Sequence, residues 1–251
     1  MRGNGKQRAE SRKQELLSAL SSLLSSLFSS PYNQLSMRLL SLLAFAALFG
    51  APIAAQSPQA TVQRAVKAYS KITTIRATFA QTVTNPLTGS DVESHGELQQ
   101  RIPGRLAIDF SEPEGDRIVA DGKVVWLYLP STNPGQVIKA RVGENSANVP
   151  DVTSWFLDSP QKRYRMSDAG KATIAGHATH AVGLVSRDPT IPFQKATVWV
   201  DDDDALIRQF ETTDANGLTR RITITSIEPN AKLDPGVFAF VPPDGVRVVQ
   251  P

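Results

Sequence analysis

The pattern of apolar and polar positions changes along the chain. Residues 39–49 form a continuous apolar run with almost no polar spacing. Over residues 58–71, Val62, Val66 and Tyr69 recur at helical spacing, and polar side chains occupy the opposite side of the same stretch. Beyond this stretch the apolar residues alternate with a period near two, which is the period of a β-strand. The pattern predicts an apolar N-terminal segment, one amphipathic helix and a β-rich region.

Eleven short strands are predicted from this alternation. In the run from Arg105 to Phe110, Leu106, Ile108 and Phe110 share one face. Turn-forming pairs such as Asp121-Gly122 separate the runs and predict antiparallel hairpins. Many short strands with few helices favour a mostly β fold, either a barrel or a strongly curled sheet. The predicted strands cover residues 78–84, 92–101, 105–110, 116–120, 123–129, 136–141, 162–167, 178–186, 195–201, 205–213 and 218–228, with a short helical stretch over about 151–157.

The fifth predicted strand is apolar on both of its faces. Val124 to Leu129 is an unbroken apolar run, so both sides of this strand must be covered. Periodicity alone allows either a sandwich core or a strand with one face toward an apolar cavity. Both alternatives stay open at the level of sequence.

The N-terminal region has the three parts of a secretory signal peptide. Met37-Arg38 gives a positive start, residues 39–49 give the apolar run, and residues 50–55 are mostly small. The run is shorter than the roughly twenty residues that a membrane-spanning helix needs. Residues 37–55 are therefore predicted to be a signal peptide cleaved after Ala55. We interpret residues 1–36 as an over-extended N-terminus or a disordered leader, and residues 56–251 as a single domain.

Removal of this leader changes the charge of the protein. The full chain has 27 Lys and Arg against 24 Asp and Glu, a net charge of +3 and a pI near 9.2. Six of the basic and two of the acidic residues lie before residue 56, so the remainder has 21 basic and 22 acidic residues. A net charge of −1 gives no reason to expect nucleic-acid binding. The chain has no cysteine, which excludes disulfides and a lipid attached to a processed N-terminal Cys, so we expect a soluble protein.

Residues that could hold a metal do not have the spacing of a metal site. His177 and His180 are three residues apart without a third matching ligand, and His95 is remote from both. These histidines are interpreted as ordinary surface residues. Asp201 to Asp204 are four consecutive acids between two predicted strands, and they are interpreted as a solvated hairpin turn because alternate strand side chains cannot converge. Neither a metal nor a cofactor is predicted.

The sequence also lacks a recognisable catalytic motif. There is no GxSxG, phosphate-binding loop or GxGxxG pattern. Glu93, Glu97, Asp109 and Glu112 could in principle supply the carboxylate pair of a secreted hydrolase, but nothing in the sequence sets their separation. An enzyme is therefore the weaker class, and no catalytic residue is predicted.

Several segments, taken in order, resemble the periplasmic outer-membrane lipoprotein carrier family, LolA. The most specific of them runs from Ile118 to Tyr128 and includes Asp121-Gly122-Lys123 and Trp126-Leu127-Tyr128. The resemblance extends from about residue 60 to 249. The other matching segments are Ile75 to Thr82, Gly96-Glu97-Leu98 with Pro103 and Asp109-Phe110, Val198 to Asp201 with Leu206-Ile207-Arg208, and Leu233-Asp234-Pro235 with Phe238, Phe240 and Pro242 to Val246.

This resemblance implies a fold and a function. The implied fold is an incomplete, strongly curled antiparallel β-barrel whose open side is closed by helices. The implied function is that of a monomeric periplasmic carrier, which receives acylated lipoproteins from an inner-membrane ABC-type releasing complex and delivers them to an outer-membrane lipoprotein receptor. The alternative is a periplasmic lipid-binding or envelope-sensing module of the same fold without shuttle activity.

The chain departs from the family at one position that belongs to the lid. Well-known members of the family carry an Arg, tied to a helix as part of a lid, at a position that aligns here with Ala107. Arg105 lies two residues earlier on the same strand face, so the arrangement of the lid stays open.

Six apolar or aromatic residues are candidates for the lining of the lipid cavity: Phe79, Leu106, Ile108, Phe110, Trp126 and Tyr128.

Overall fold

A computed structural model of the chain describes residues 57–141 and 152–250. The described residues belong to one compact unit, Gln56–Pro251. The predicted leader and signal peptide lie outside the described residues, so they remain predictions. Within the described ranges, no helix combines the length and the hydropathy that crossing a membrane requires.

The described part of the chain is mostly β, as predicted. The helical elements are α1 (Pro58–Tyr69), a π-helical turn (Thr153–Leu157), α2 (Pro160–Arg163) and a 3₁₀ turn (Pro235–Phe238). The strands are β1 (Thr74–Asn85), β2 (Ser90–Arg101), β3 (Arg105–Glu112), β4 (Arg117–Ala120), β5 (Val124–Tyr128), β6 (Gln136–Arg141), β7 (Tyr164–Ile174), β8 (His177–Ser186), β9 (Lys195–Asp201), β10 (Ile207–Thr213), β11 (Thr219–Pro229) and β12 (Arg247–Val249).

These strands form one open, curled sheet in the order β12-β6-β5-β4-β3-β2-β1-β11-β10-β9-β8-β7. Every neighbouring pair is antiparallel except β12 and β6, which run parallel. The description in terms of eleven antiparallel strands is therefore corrected: the described residues form twelve strands, and the unpredicted one is β12. Two halves of the sheet meet where β1 pairs with β11, from Ile75 opposite Pro229 to Thr84 opposite Thr219.

Helix α1 forms where the sequence predicts it. The Ser57 hydroxyl accepts a hydrogen bond from the Ala60 N–H (3.2 Å), and Pro58 occupies the first turn, where its missing N–H costs nothing. Val62, Ala65 and Tyr69 are buried on one side of the helix. This side packs against β7, β8, β9 and the π-helical turn, so α1 covers one end of the sheet's inner face.

The π-helical turn brings two large aromatic side chains into the core. Trp155 and Phe156 lie with ring centroids 5.7 and 5.6 Å from the ring of Phe193. Phe156 also lies 5.2 Å from Phe210 of β10 and is 1% exposed. The hydroxyl of Tyr164 donates a hydrogen bond to the Trp155 carbonyl, which fixes the turn against the start of β7.

The C-terminal segment covers the outer face of β3, β4 and β5. Ala107 and Val119 are fully buried there with Leu233 and Phe238, whereas the neighbours of Ala107 in β3 belong to the inner core. Arg105 is exposed on the same outer side. Neither Ala107 nor Arg105 faces the inner side of the sheet, so neither is placed to latch a lid across it.

Candidate functional site

An apolar cavity of about 410 Å³ lies on the inner face of the curled sheet. Most of its wall comes from the long strands β1 and β2, from β3 to β5, and from β10 and β11. Tyr69 from α1 and Val152 beside the π-helical turn also line it, so the helical elements close one side. The apolar residues that the strands contribute are Ile75, Ala77, Phe79, Val92, Leu98, Ile108, Phe110, Ile118, Leu127, Ile207, Phe210, Ile222, Ile224 and Ile227.

Two aromatic rings, one on β1 and one on β3, form the middle of this wall. Phe79 and Phe110 pack edge to face with centroids 5.7 Å apart. They meet because Gly96, in the strand between them, has no side chain. A Cβ added there would lie 2.6 Å from the Asp109 carbonyl oxygen and 3.0 Å from Cζ of Phe79. The glycine is therefore needed for close packing rather than for an unusual backbone angle.

The end of the cavity near the β1–β2 turn is polar. The side-chain amide of Gln81 donates to the hydroxyl of Ser94 (2.9 Å). The carboxylate of Asp116 accepts hydrogen bonds from the N–H (3.0 Å) and the hydroxyl (2.6 Å) of Ser131. Arg220 lines the same end from β11. Thus an apolar interior is bordered at one end by hydrogen-bonding groups and a guanidinium.

The charged side chain of Arg220 is partly buried. Its Nε atom is buried and has no hydrogen-bond partner. Burial lowers the pKa of Arg220 below its usual range, and the negative charge of Asp214 opposes that shift. An arginine nevertheless stays protonated in proteins, so the cavity contains a cation that is partly removed from water.

The six predicted cavity residues fall into three groups. Phe79, Ile108 and Phe110 line the cavity. Leu106 is buried in the inner core next to it, 4% exposed. Trp126 and Tyr128 do not line it: they lie on the other face of β5, with ring centroids 5.6 and 5.9 Å from Phe240. Binding of lipid by any of these residues stays a prediction.

Strand β5 resolves the two alternatives that its apolar faces left open. Leu127 on one face lines the cavity, and Trp126 on the other is covered by the C-terminal segment through Phe240. One face is thus a cavity wall and the opposite face is ordinary packing.

Sequence reasoning missed the polar end of the cavity. Alternation within β11 places Arg220 on the same face as Ile222 and Ile224. That alternation was a usable signal, because a charged residue on an apolar face is uncommon.

Two polar clusters elsewhere correct the predictions for the histidines and the acidic run. His180 is 4% exposed, and its Nε2 lies 2.9 Å from a carboxylate oxygen of Asp168, so it is not a surface residue. The acidic run does form the turn between β9 and β10, but Asp201 is only 1% exposed and pairs with Arg208 (2.8 Å) and His177 (2.8 Å). These contacts stabilise the turn.

The carboxylates considered for a hydrolase do not converge on the cavity. Glu97 and Asp109 lie opposite each other on β2 and β3 and pair with Arg76 (4.0 Å) and Arg117 (2.8 Å) respectively. Neither lines the cavity. In the part of the chain that the structure describes, no cluster of three His, Asp or Glu side chains has the arrangement of a metal site.

Comparison with known proteins adds a family to this geometry. The model of the family described as outer membrane lipoprotein carrier protein LolA matches residues 70–241. A protein of Chromobacterium violaceum named outer-membrane lipoprotein carrier protein is 28% identical over 213 residues, which cover 85% of this chain and 98% of that protein. A protein of the same name from Dechloromonas aromatica is 27% identical over 176 residues, covering 70% and 81%.

Among solved structures, an uncharacterized conserved protein from Thermus thermophilus is similar with a TM-score of 0.48 and 16% identity, covering 77% of this chain and 98% of that one. A putative outer membrane lipoprotein-sorting protein domain from Vibrio parahaemolyticus gives a TM-score of 0.39 at 14% identity, covering 70% and 95%.

Proposed function

The chain belongs to the LolA family of outer membrane lipoprotein carrier proteins, and from this premise we propose that it carries lipoproteins across the periplasm with their acyl chains in the inner-face cavity. The observation that supports the proposal most directly is the apolar cavity of about 410 Å³ on the concave side of the sheet. Its lining is mostly aliphatic and aromatic, which suits a ligand without hydrogen-bonding groups. Phe79, Ile108 and Phe110 are proposed to contact the acyl chains.

The energetics of acyl chains explain why such a carrier needs a cavity. Each methylene group moved from water to an apolar site is stabilised by about 0.8 kcal/mol. A chain of about fourteen methylenes therefore gains roughly 11 kcal/mol on burial. Without a protein to shield it, a lipid-modified protein would not leave a membrane at a useful rate.

The size of the cavity bears on how the cargo is loaded. A volume of about 410 Å³ lies in the lower part of the roughly 300–1,000 Å³ range of pockets that hold one small ligand, whereas a triacylated lipoprotein carries three acyl chains. We propose that loading moves α1 and the π-helical turn away from the sheet, since Tyr69 and Val152 close the cavity on that side.

The proposed partners are acylated lipoproteins, an inner-membrane ABC-type releasing complex and an outer-membrane lipoprotein receptor. We propose that the protein acts as a monomer in the periplasm and that it catalyses no reaction. The polar groups of the cavity support the proposal that no reaction is catalysed. The Asp116 carboxylate accepts hydrogen bonds from Ser131, and Gln81 and Ser94 bond to each other.

A transfer assay tests the proposed function. The purified protein is incubated with inner-membrane vesicles that contain labelled lipoproteins, the releasing complex and ATP, and soluble lipoprotein is measured. We expect a soluble complex with the wild type and a strong loss with Ala77→Trp, because Ala77 lines the cavity and is 2% exposed. Ala80→Trp is the matched control, since Ala80 lies on the other face of the same strand and does not line the cavity.

Two results would contradict the proposal. If the wild type releases no lipoprotein where an established carrier does, the shuttle role is wrong. If it binds acyl ligands in solution under those conditions, the lipid-binding or sensing module without shuttle activity becomes the better description. Equal release by Ala77→Trp and Ala80→Trp would show that the cavity is not the lipid site.

A further inference from the structure

The feature that the carrier role leaves unexplained is the cation in its apolar cavity. Arg220 lies on the inner face of β11, two residues from Ile222, and both line the cavity. Its Nε atom is buried without a hydrogen-bond partner. Within residues 57–141 and 152–250, no carboxylate lies close enough to Arg220 to form an ion pair. Holding an unpaired charge away from water is costly, and hydrocarbon tails alone give no compensation for it.

Other arginines of the same sheet do form ion pairs. Arg221 points to the opposite face of β11, and its guanidinium lies 2.6–2.8 Å from a carboxylate oxygen of Glu211 on the neighbouring strand. Arg208, which is buried like the inner part of Arg220, pairs with two carboxylates, Asp201 and Asp204. Arg220 therefore differs from these arginines: it lines the cavity and forms no ion pair with a carboxylate of the described residues.

The acids near Arg220 are already engaged. The carboxylate of Asp214 accepts hydrogen bonds from the N–H groups of Asn216 (2.8 Å) and Leu218 (3.0 Å). Burial lowers the pKa of Arg220, and the charge of Asp214 only opposes that shift; the two side chains form no ion pair. Asp116 lies three strands away, after β3, and is held by Ser131. Neither acid completes the coordination of the guanidinium.

Neutral donors and acceptors lie on β1 and β2, the two strands that follow β11 across the sheet. Gln81 of β1 lies opposite Ile222, so it is diagonal to Arg220, a relation that separates such positions by about 7–8 Å. Ser94 lies opposite Gln81 on β2 and is bonded to it. A ligand group placed among these side chains can accept hydrogen bonds from the guanidinium of Arg220 and can also bond to Gln81 or Ser94. An acyl chain attached to that group would then extend over Phe79.

We propose that Arg220 binds the oxyanion of an acyl-chain lipid, a carboxylate or a phosphate, and thereby sets the direction in which the chain enters the cavity. Planar, bidentate recognition of these two groups is what a guanidinium does best. The cavity volume of about 410 Å³ is that of a pocket for one small ligand. The proposal rests on the cavity being a lipid site, and it adds that the site prefers an anionic head at the end lined by Arg220.

Calorimetric titration of the purified protein tests this preference directly. The probes are tetradecanoate, 1-tetradecanoyl lysophosphatidic acid and tetradecanol, which share the chain and differ in the head. We expect the wild type to bind at least one anionic probe about tenfold or more tightly than tetradecanol, the gain of one charge-assisted hydrogen bond. The two anionic probes distinguish a fatty acid from a phospholipid as the source of the oxyanion.

Variants with the same change of charge on opposite faces locate the effect. Arg220→Gln should bind all three probes with similar affinity, whereas Arg221→Gln should keep the preference of the wild type. Arg220→Lys keeps the charge but loses the planar guanidinium, so it should keep part of the preference for the anionic probes. If the wild type binds tetradecanol and the anionic probes equally, the inference about Arg220 is wrong and the lipid cavity stands. If no probe binds, both this inference and the proposed lipid site are overturned.

Discussion

The ion pair between Arg208 and Asp201 provides the sharpest test of how the fold is stabilised. The two side chains are 8% and 1% exposed, and Nε of Arg208 lies 2.8 Å from Oδ2 of Asp201. The pair joins β9 to β10. Replacement of Arg208 by Met keeps the length and apolar stem of the side chain, and it leaves the carboxylate of Asp201 buried without its guanidinium.

The expected loss follows from the bonds that Asp201 keeps. Breaking a buried pair by removing one partner costs about 3–5 kcal/mol. Asp201 still accepts a hydrogen bond from the Asp203 N–H (2.8 Å) and still lies 2.8 Å from Nδ1 of His177, so we expect the lower limit, about 3 kcal/mol. Arg221→Met is the control, because its partner Glu211 forms a half-exposed pair and such pairs contribute about 1 kcal/mol or less.

The pH dependence gives a second readout of the same pair. Burial by itself would raise the pKa of Asp201, but hydrogen bonds from the Asp203 N–H and Arg208 outweigh it and hold the pKa below its usual value. A lowered pKa means that the ionised form stabilises the folded state above about pH 4, and that this stability is lost as the pH falls through the folded pKa. The difference between wild type and Arg208→Met should therefore shrink in acid.

Urea denaturation followed by tryptophan fluorescence measures these free energies of unfolding. Arg208→Met, Asp201→Asn and the double variant form a thermodynamic cycle, and we expect the double variant to lose clearly less than the sum of the single losses. The reasoning is refuted if Arg208→Met is no less stable than Arg221→Met, or if the two single losses simply add.

Three further predictions concern the cavity wall, the aromatic core and the tyrosines. Gly96→Ala should lower the free energy of unfolding by about 1–3 kcal/mol, measured in urea, because its Cβ would lie 2.6 Å from the Asp109 carbonyl oxygen; an unchanged stability would contradict the close packing. Phe156→Ala should cost about 3–5 kcal/mol in the same assay, since the ring is 1% exposed, and a loss below 1 kcal/mol would argue against that burial. Burial raises the pKa of Tyr69 and of Tyr164 to about 12, so absorbance titration should show both of these tyrosines ionising late. Because their neutral forms are favoured by folding, stability should fall as the pH rises from about 10 toward 12; a titration without a late ionisation step would refute it.

Much of the sheet could be predicted because its strands are covered on one face. Alternation in β3 assigns Leu106, Ile108 and Phe110 to the inner side, which is where the structure has them. Prediction failed where alternation is absent. β7 extends to Ile174, beyond the predicted end at residue 167, because its second half is a solvated edge with few apolar residues. β12 is a three-residue strand that depends wholly on its pairing with β6, so no local signal announces it.

The candidate site was only partly predictable for a related reason. Trp126 and Tyr128 belong to a strand that is apolar on both faces, and period two cannot say which face is the cavity. The answer depends on Phe240, more than a hundred residues later. The alternation in β11 indicates on which face of the strand Arg220 lies. Whether a carboxylate lies close enough to pair with it depends on the folded sheet.

The pairing of β1 with β11 has a consequence for how the protein acquires its structure. These strands are joined along ten residue pairs, and their partners are separated by about 150 positions in the sequence. Contacts of such separation have a large loop-closure cost and slow the folding rate. The concave wall cannot close until the last strands are available, so we expect the chain to stay largely unfolded for most of its synthesis. A polypeptide that has to be threaded through a translocation pore before it folds gains time from such a topology.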